Sequence, residues 1–546
     1  MVKNKFHIVL VVVLFITVSF SDIYAIGLKY YLVQLKDKNN SGYTINQPQS
    51  FLSPRALNRR NKQNIAIQMD DIPVSSYYTD SLQKLGLTVW SKSKWLNAVV
   101  IYTDITTISK VNSLSFVLGY QPLSRIENTT PCYSNLNAIK QPDASLPLNY
   151  GNSSSQNTMI GIDKMHEDGF AGQEMQIAVL DAGFNNANQL SVFDSLFINN
   201  RILATYDYVK KETSVYEDHS HGTEVLSVLA GYSEGNLIGG AYRSSFYLLR
   251  TEDGDSESLL EEFNWAVAAE FADSAGVDVI ASSLGYTDFD NTALSHQYID
   301  FNGNTTIAAK AAKAAARKGI LVCVSAGNDG ANAWKYISTP ADTDSIITVG
   351  SVDSQGKYAY FSSIGPSADG RIKPDLVTKG LGAWVATTTG SYTSSNGTSF
   401  SCPILCGLAA GYWSEFPNLT NQEVIANLKK SASQYINPDN YLGYGIPNYV
   451  TAKNMVLALE KNNDDKPFII FPNPTLTNLP LVIRMLDTSK IIKISVYKAD
   501  GEIVEVVEIE RLAQDVFLNI THLTQGVYFL KVMTSNQSHT QQFVKF

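Results

Sequence analysis

Residues 396–411 read Asn-Gly-Thr-Ser-Phe-Ser-Cys-Pro-Ile-Leu-Cys-Gly-Leu-Ala-Ala-Gly. A Gly397-Thr398-Ser399 turn runs into an apolar, small-residue helix beginning near Ile404. Ser399 thus stands at a helix N-terminus, where the first backbone N–H groups have no helical partner and the dipole favours negative charge. Acyl transfer needs such a place, because an oxyanion forms beside the nucleophile. Pro403 suits a first helical turn. Alone, a serine before an apolar helix is most often an N-cap.

Two upstream segments change that reading. Gln176 to Leu180 is a short apolar run that ends in Asp181-Ala182-Gly183, a strand closed by an acid and a glycine turn. His221-Gly222-Thr223 opens a second small-residue helix, Val225 to Gly231. Asp181, His221 and Ser399, in that chain order, supply an orienting acid, a base and a nucleophile. A fourth segment, Gly319 to Asn328, is an apolar strand that ends in Ser325-Ala326-Gly327-Asn328. An asparagine after glycine is usually a turn residue, but here its amide is placed to donate to a reacting oxygen.

Around these segments strands and helices alternate. Ser258-Leu259-Leu260-Glu261 is a capping box opening a helix to about Ala272. Val277 to Ala281, Ile320 to Val324 and Ile346 to Val352 are apolar strands, and the alanine-rich helix from Ile307 to Lys318 closes at Gly319. The alternation predicts an α/β fold, a parallel sheet with helices on both faces, over 156–458. Sites in such sheets lie beyond the carboxyl ends of the strands, where Asp181, Ser283 and Asn328 fall.

The chain has 546 residues, enough for about three domains. Residues 26–125 predict a small α+β unit, with strands at Lys29–Leu35 and Leu96–Tyr102 and helices at Leu52–Arg60 and Thr79–Leu85. Residues 126–155, rich in Asn, Ser and Pro, read as a linker holding a maturation site. A polar linker spans 459–468. Beyond it, 469–546 alternates in strand pattern around an Asp500-Gly501 hairpin turn, a small all-β sandwich. At the other end, Lys3 and Lys5 precede an apolar run from Ile8 to Ile16, and Ala25 offers a cleavage site, so 1–25 reads as a signal peptide. The mature chain is expected to have no transmembrane segment. Net charge is −9 without a basic cluster, which argues against nucleic acid. Of four cysteines, Cys323, Cys402 and Cys406 read as small buried hydrophobes, and Cys132 as a loop cysteine of unassigned state.

The chain resembles the subtilisin-like serine proteases. The resemblance rests on Val179 to Gly183, His221-Gly222-Thr223, Ser325 to Asn328 and Gly397 to Pro403, with lesser matches at Asp278 to Gly285, Phe361 to Pro366 and Lys373 to Leu376. Ala182, Glu224 and Phe400 depart from the commoner residues, and none of them is a reacting group. His219, lacking the Gly-Thr that follows His221, reads as a loop residue. The resemblance implies a catalytic set of Asp181, His221, Ser399 and Asn328. It implies a substrate cleft walled by Ser283-Leu284-Gly285 and, opposite, Ala326-Gly327, and a cis proline at Thr339-Pro340. It implies a secreted endopeptidase acting on protein or peptide substrates, with 26–125 as its own inhibitory propeptide. No cofactor is required for the chemistry; structural calcium is frequent in the family, but no acidic loop here can be assigned to it. The last 78 residues resemble the C-terminal sorting domain of type IX secretion substrates, through Phe471-Pro472-Asn473-Pro474, Gly526 to Leu530 and Phe543 to Phe546. That likeness implies type IX machinery as a partner and delivery through the periplasm to the outside or the outer surface. Two rivals use the same scaffold: a peptide ligase or cyclase, and a non-catalytic adhesin.

Overall fold

The structure, a computed structural model, describes residues 27–123, 148–463, 468–475, 480–485, 491–511, 515–534 and 538–545. The signal peptide, most of the 126–155 linker and Cys132 lie outside the described residues. The N-terminal unit is built from β1 (Lys29–Leu35), α1 (Pro54–Lys62), α2 (Ser76–Lys84), β2 (Thr88–Ser93), β3 (Ala98–Thr103) and β4 (Val117–Pro122), the strands ordered β2-β3-β1-β4 in an antiparallel sheet. Strands β2 and β4 escape a reading by hydrophobic pattern because they are the sheet edges, more polar or broken by Gly119 and Pro122. Successive side chains of a strand point to opposite faces. Tyr31, Val33 and Leu35 pack with Tyr78 and Leu82 of α2. Tyr30 and Leu32, joined by Ala98 and Val100 of β3, turn the other way into a cluster with Trp265, Ala268 and Ala269.

Those last residues belong to the second unit of structure, a seven-stranded, wholly parallel sheet. Its elements are β5 (Gln176–Asp181), β6 (Ile202–Asp207), α3 (His221–Ala230), β7 (Ser245–Arg250), α4 (Leu259–Ala275), β8 (Val279–Ser282), α5 (Ile307–Arg317), β9 (Leu321–Ser325), β10 (Ile347–Val352), β11 (Leu376–Lys379) and α6 (Thr398–Glu415). The order is β11-β10-β9-β8-β5-β7-β6. After β5 the chain builds β6 and β7 on one side, then crosses to build β8 to β11 on the other. The winding reverses between β5 and β8, and a crevice opens at the carboxyl ends of those two strands. Ala178, Leu180, Ile280, Val322 and Val324 pack under α4 and α5. Cys323 points the opposite way and meets Cys406 of α6, which covers the other face. The capping box at Ser258 is formed, with Glu261 Oε2 accepting from Ser258 N at 2.7 Å. The Thr339–Pro340 peptide is cis.

Two boundaries differ from expectation. Of the stretch read as a linker, 148–155 is already part of this fold: Ser153 is buried and its Oγ accepts from Ile238 N at 3.1 Å. Helix α6 starts at Thr398, earlier than its apolar run suggests, so Pro403 lies inside it and not in its first turn.

The N-terminal unit is joined to α4 by charge as well as by apolar packing. Asp273, with no exposed side chain, accepts from Arg59 Nη2 at 2.5 Å, Arg60 Nη2 at 2.7 Å and Lys94 Nζ at 3.3 Å. Glu270, one turn earlier, accepts from Ser93 Oγ at 2.5 Å, Lys94 N at 2.8 Å and Trp95 N at 2.9 Å. In return Lys318 Nζ reaches Asp70 at 2.5 Å and Asp71 at 3.0 Å.

The C-terminal residues form a separate two-sheet sandwich. Strands β12 (Phe468–Phe471), β13 (Leu481–Met485) and β16 (Asp515–Leu518) make one sheet, and β14 (Ile491–Lys498), β15 (Ile503–Arg511), β17 (Gly526–Thr534) and β18 (Ser538–Lys545) the other. Phe468, Ile483, Ile494, Leu530 and Phe543 share its core. The Pro-Asn-Pro motif and the terminal strand meet: Asn473 Oδ1 accepts from Val544 N at 3.0 Å and Nδ2 donates to Gln542 O at 2.9 Å. Of the linker read over 459–468, residues 459–463 continue the helix Tyr449–Asn463.

Removing one partner of a buried ion cluster strands the others and costs ~3–5 kcal/mol. Asp273→Ala, made in a Ser399→Ala background to prevent self-digestion, is expected to lower the hydrogen-exchange protection of the β1 and β3 amides by about 100-fold or more. Protection within a factor of a few of the parent would show that this cluster does not hold the unit in place.

Candidate active site

Asp181 ends β5 with no exposed surface. Its Oδ1 lies 2.7 Å from His221 Nδ1 and accepts from Ala182 N at 2.8 Å. His221 is the first residue of α3, and the helix can come so close because Gly222 follows. A Cβ there would strike Gly183 O and stand 3.0 Å from Asp181 Cβ. His219 is more than a loop residue: its Nδ1 accepts from His221 N at 3.1 Å, and it lines the same cleft as His221. It satisfies a donor that the start of α3 would otherwise leave free. Burial pulls the His221 imidazole down, but Asp181, through its charge and hydrogen bond, and Glu224 outweigh it, so His221 titrates above its ordinary value.

Ser399 lies in the first turn of α6 and is 9% exposed. Its position is fixed by a reciprocal contact with Ser283. Pro403 has no N–H to give the Ser399 carbonyl four residues back, and Ser283 Oγ donates to that carbonyl instead, at 2.8 Å. Ser399 Oγ in turn faces Ser283 O at 3.5 Å. That is too long for a strong hydrogen bond, and no bond links Ser399 Oγ to His221 in this state. Such contacts commonly tighten only when substrate is present. Ser399 N has no partner among the described residues and points out of the helix start.

Asn328 stands across from Ser399. Thr398 holds it by the oxygen: Oδ1 accepts from Thr398 N at 2.9 Å and lies 3.1 Å from Thr398 Oγ1. This fixes which end of the amide turns outward, since Nδ2 has no partner among the described residues. Gly327 has φ +104°, and an added Cβ would meet Ser363 Oγ at 2.8 Å, so the approach to Asn328 tolerates glycine alone.

The cleft that contains His221, Asn328 and Ser399 is lined by Ser283, Leu284 and Gly285, and by Gly327. Leu284 and Gly285 make no backbone hydrogen bond to described residues, an open edge of the kind an extended peptide can join. Ala326 does not line the cleft. It is fully buried, its N donates to Val349 O and its O accepts from Ser338 N, so nothing of it is left for a ligand. Cys323, Cys402 and Cys406 are free and buried behind the site, as expected.

A carboxylate, an imidazole and a serine hydroxyl gathered at the carboxyl edge of a doubly covered parallel sheet, faced by an amide donor, define a serine hydrolase. The chain belongs to the subtilase family, whose model matches residues 172–445, and the protein is a subtilisin-like serine protease. Residues 30–135 match the peptidase S8 propeptide domain of Bacteroidota, and residues 469–545 the secretion system C-terminal sorting domain. Similar proteins include subtilisin NAT of Bacillus subtilis subsp. natto, 29% identical over 292 residues that cover 53% of this chain and 68% of that one. Subtilisin of Bacillus pumilus is also 29% identical over 292 residues, covering 53% and 94%. Among solved structures, MycP1 from the ESX-1 type VII secretion system aligns at a TM-score of 0.45 and 20% identity, over 57% of this chain and 87% of that one.

A base must be neutral to accept a proton, so kcat/KM is expected to fall as pH drops through the raised pKa of His221. Glu224→Gln removes one of the charges that raise it, and the acid limb should move to lower pH with turnover retained. A limb that stays in place or moves upward in a pH profile would show that Glu224 does not act on His221.

Proposed function

We propose that the protein is a secreted endopeptidase that works through Asp181, His221 and Ser399. The observation that carries this reading is the 2.7 Å contact between Asp181 Oδ1 and His221 Nδ1, opening onto the same cleft as Ser399. Ser399 Oγ leaves its long contact with Ser283 O, loses its proton to His221 Nε2 and attacks the peptide carbonyl. His221 then gives that proton to the leaving amine, and water repeats the sequence on the acyl-enzyme. Asp181 holds the tautomer and stabilises the imidazolium. Ser399 N–H and Asn328 Nδ2 receive the oxyanion, each a donor already in place with no other partner to leave. The steps need protein groups only.

Ser399→Ala removes a hydroxyl without touching the fold, and is expected to abolish peptide hydrolysis and to accumulate as the uncleaved chain. Asn328→Ala should lower kcat by ~10²–10³, the usual cost of one oxyanion donor. Mass spectrometry of products with and without an added amine separates hydrolysis from ligation. Wild-type turnover in Ser399→Ala would overturn the assignment.

The unit read over 26–125 serves in this reading as the inhibitor, held on α4 by Asp273 and Glu270. The sandwich serves as the address for export. Deleting 469–546 should leave an active protease in the periplasm, read by cell fractionation with a peptide assay. Normal appearance of the truncated protein outside the cell would make the sandwich a binding module instead.

A further inference from the structure

The cleft is lined by acidic side chains. Glu252, Asp253, Glu257 and Asp329 line it, and among the described residues no lysine or arginine does. One of these acids is built into the wall. Glu252, two residues beyond β7, is 8% exposed, and its Oε1 accepts from Thr251 Oγ1 and from Tyr286 OH, each at 2.7 Å. Tyr286 is buried and directly follows Ser283-Leu284-Gly285, so the carboxyl is fixed to the strip of backbone that a peptide would join. Oε2 accepts no hydrogen bond from the described residues, and Glu252 is part of the cleft lining.

We propose that Glu252 is a specificity-determining residue, which selects peptides carrying lysine or arginine close to the scissile bond and rejects acidic ones. The inference rests on the peptidase reading of this cleft. Two hydroxyls hold Oε1 and set the direction of Oε2, so a substrate cation meets an acceptor already oriented. Burial pushes the Glu252 carboxyl up to about 8 against those two hydrogen bonds, and Glu257 and Asp181 add to the push. A carboxyl enclosed among like charges is relieved by an incoming cation and further strained by an anion.

The test uses the secreted, self-processed enzyme and a set of fluorogenic peptides that differ only in carrying Arg, Leu or Glu in turn at each of the four positions before the scissile bond. At one position kcat/KM should favour Arg over Leu by about tenfold, and over Glu by more, the scale of a charge-assisted hydrogen bond. Glu252→Gln keeps the shape and should bring the Arg-to-Leu ratio close to one, mostly through KM. If that variant does not accumulate, the wild-type series decides alone, with the preference also expected to shrink in high salt. Cleavage of neutral peptides with no charge preference, or a preference that survives Glu252→Gln, overturns the proposal and leaves the peptidase reading standing. Failure to cleave any peptide overturns that reading, and the proposal with it.

Discussion

A carboxylate with no access to water sits at the centre of this fold. His221 Nδ1 and Ala182 N both meet the Oδ1 of Asp181, and the His221 contact exists only because α3 is allowed to touch the end of β5. The geometry therefore runs backwards from one interaction to the chain: Gly222 for the approach, Gly183 for the turn after the acid, His219 to take the first amide of α3. The reversal of winding between β5 and β8 then opens the space into which Ser399 and Asn328 are brought. A serine at a helix start is common; here the order of strands brings it to the same cleft as an imidazole with a carboxylate behind it.

The same logic of missing partners recurs at the nucleophile. A proline inside a helix normally costs a hydrogen bond. Here the bond lost by Pro403 is the one that would have occupied the Ser399 carbonyl, and Ser283 takes its place. Helix α6, which carries Ser399, is thereby tied to the end of β8 at Ser283. Thr398 does the equivalent for Asn328 by engaging its oxygen and leaving its nitrogen. In both cases the working atom is the one left over once the structural atoms have been used.

What was legible in the sequence follows from this. Asp181, His221, Ser399 and Asn328 stand in short segments whose local pattern, strand then acid or small residues then helix, is contained within eight or ten residues. The three-part layout was likewise readable, because each part changes its period of apolar residues. The residues that needed the structure act across long separations. Glu252 is meaningful only beside Tyr286, Asp273 only beside Arg59, Arg60 and Lys94, and His219 only through the amide of His221. Ala326 shows the converse: its motif neighbours line the cleft, while strand alternation turns Ala326 itself into the core. The start of α6 was misplaced because propensity marks where apolar residues begin, not where the backbone first turns.

The contact between the N-terminal unit and α4 is unequal for its two sides. Its sheet is buried on both faces, one by its own α2 and the other by α4 of the protease. Separation would expose Tyr30, Leu32, Ala98 and Val100 together and strand Arg59, Arg60 and Lys94 without Asp273. The N-terminal unit thus draws part of its burial from α4. The enzyme keeps its own parallel sheet and both helical layers. The burial at this contact is therefore one-sided: the N-terminal sheet needs α4 to cover its second face, while the parallel sheet is already covered by its own helices.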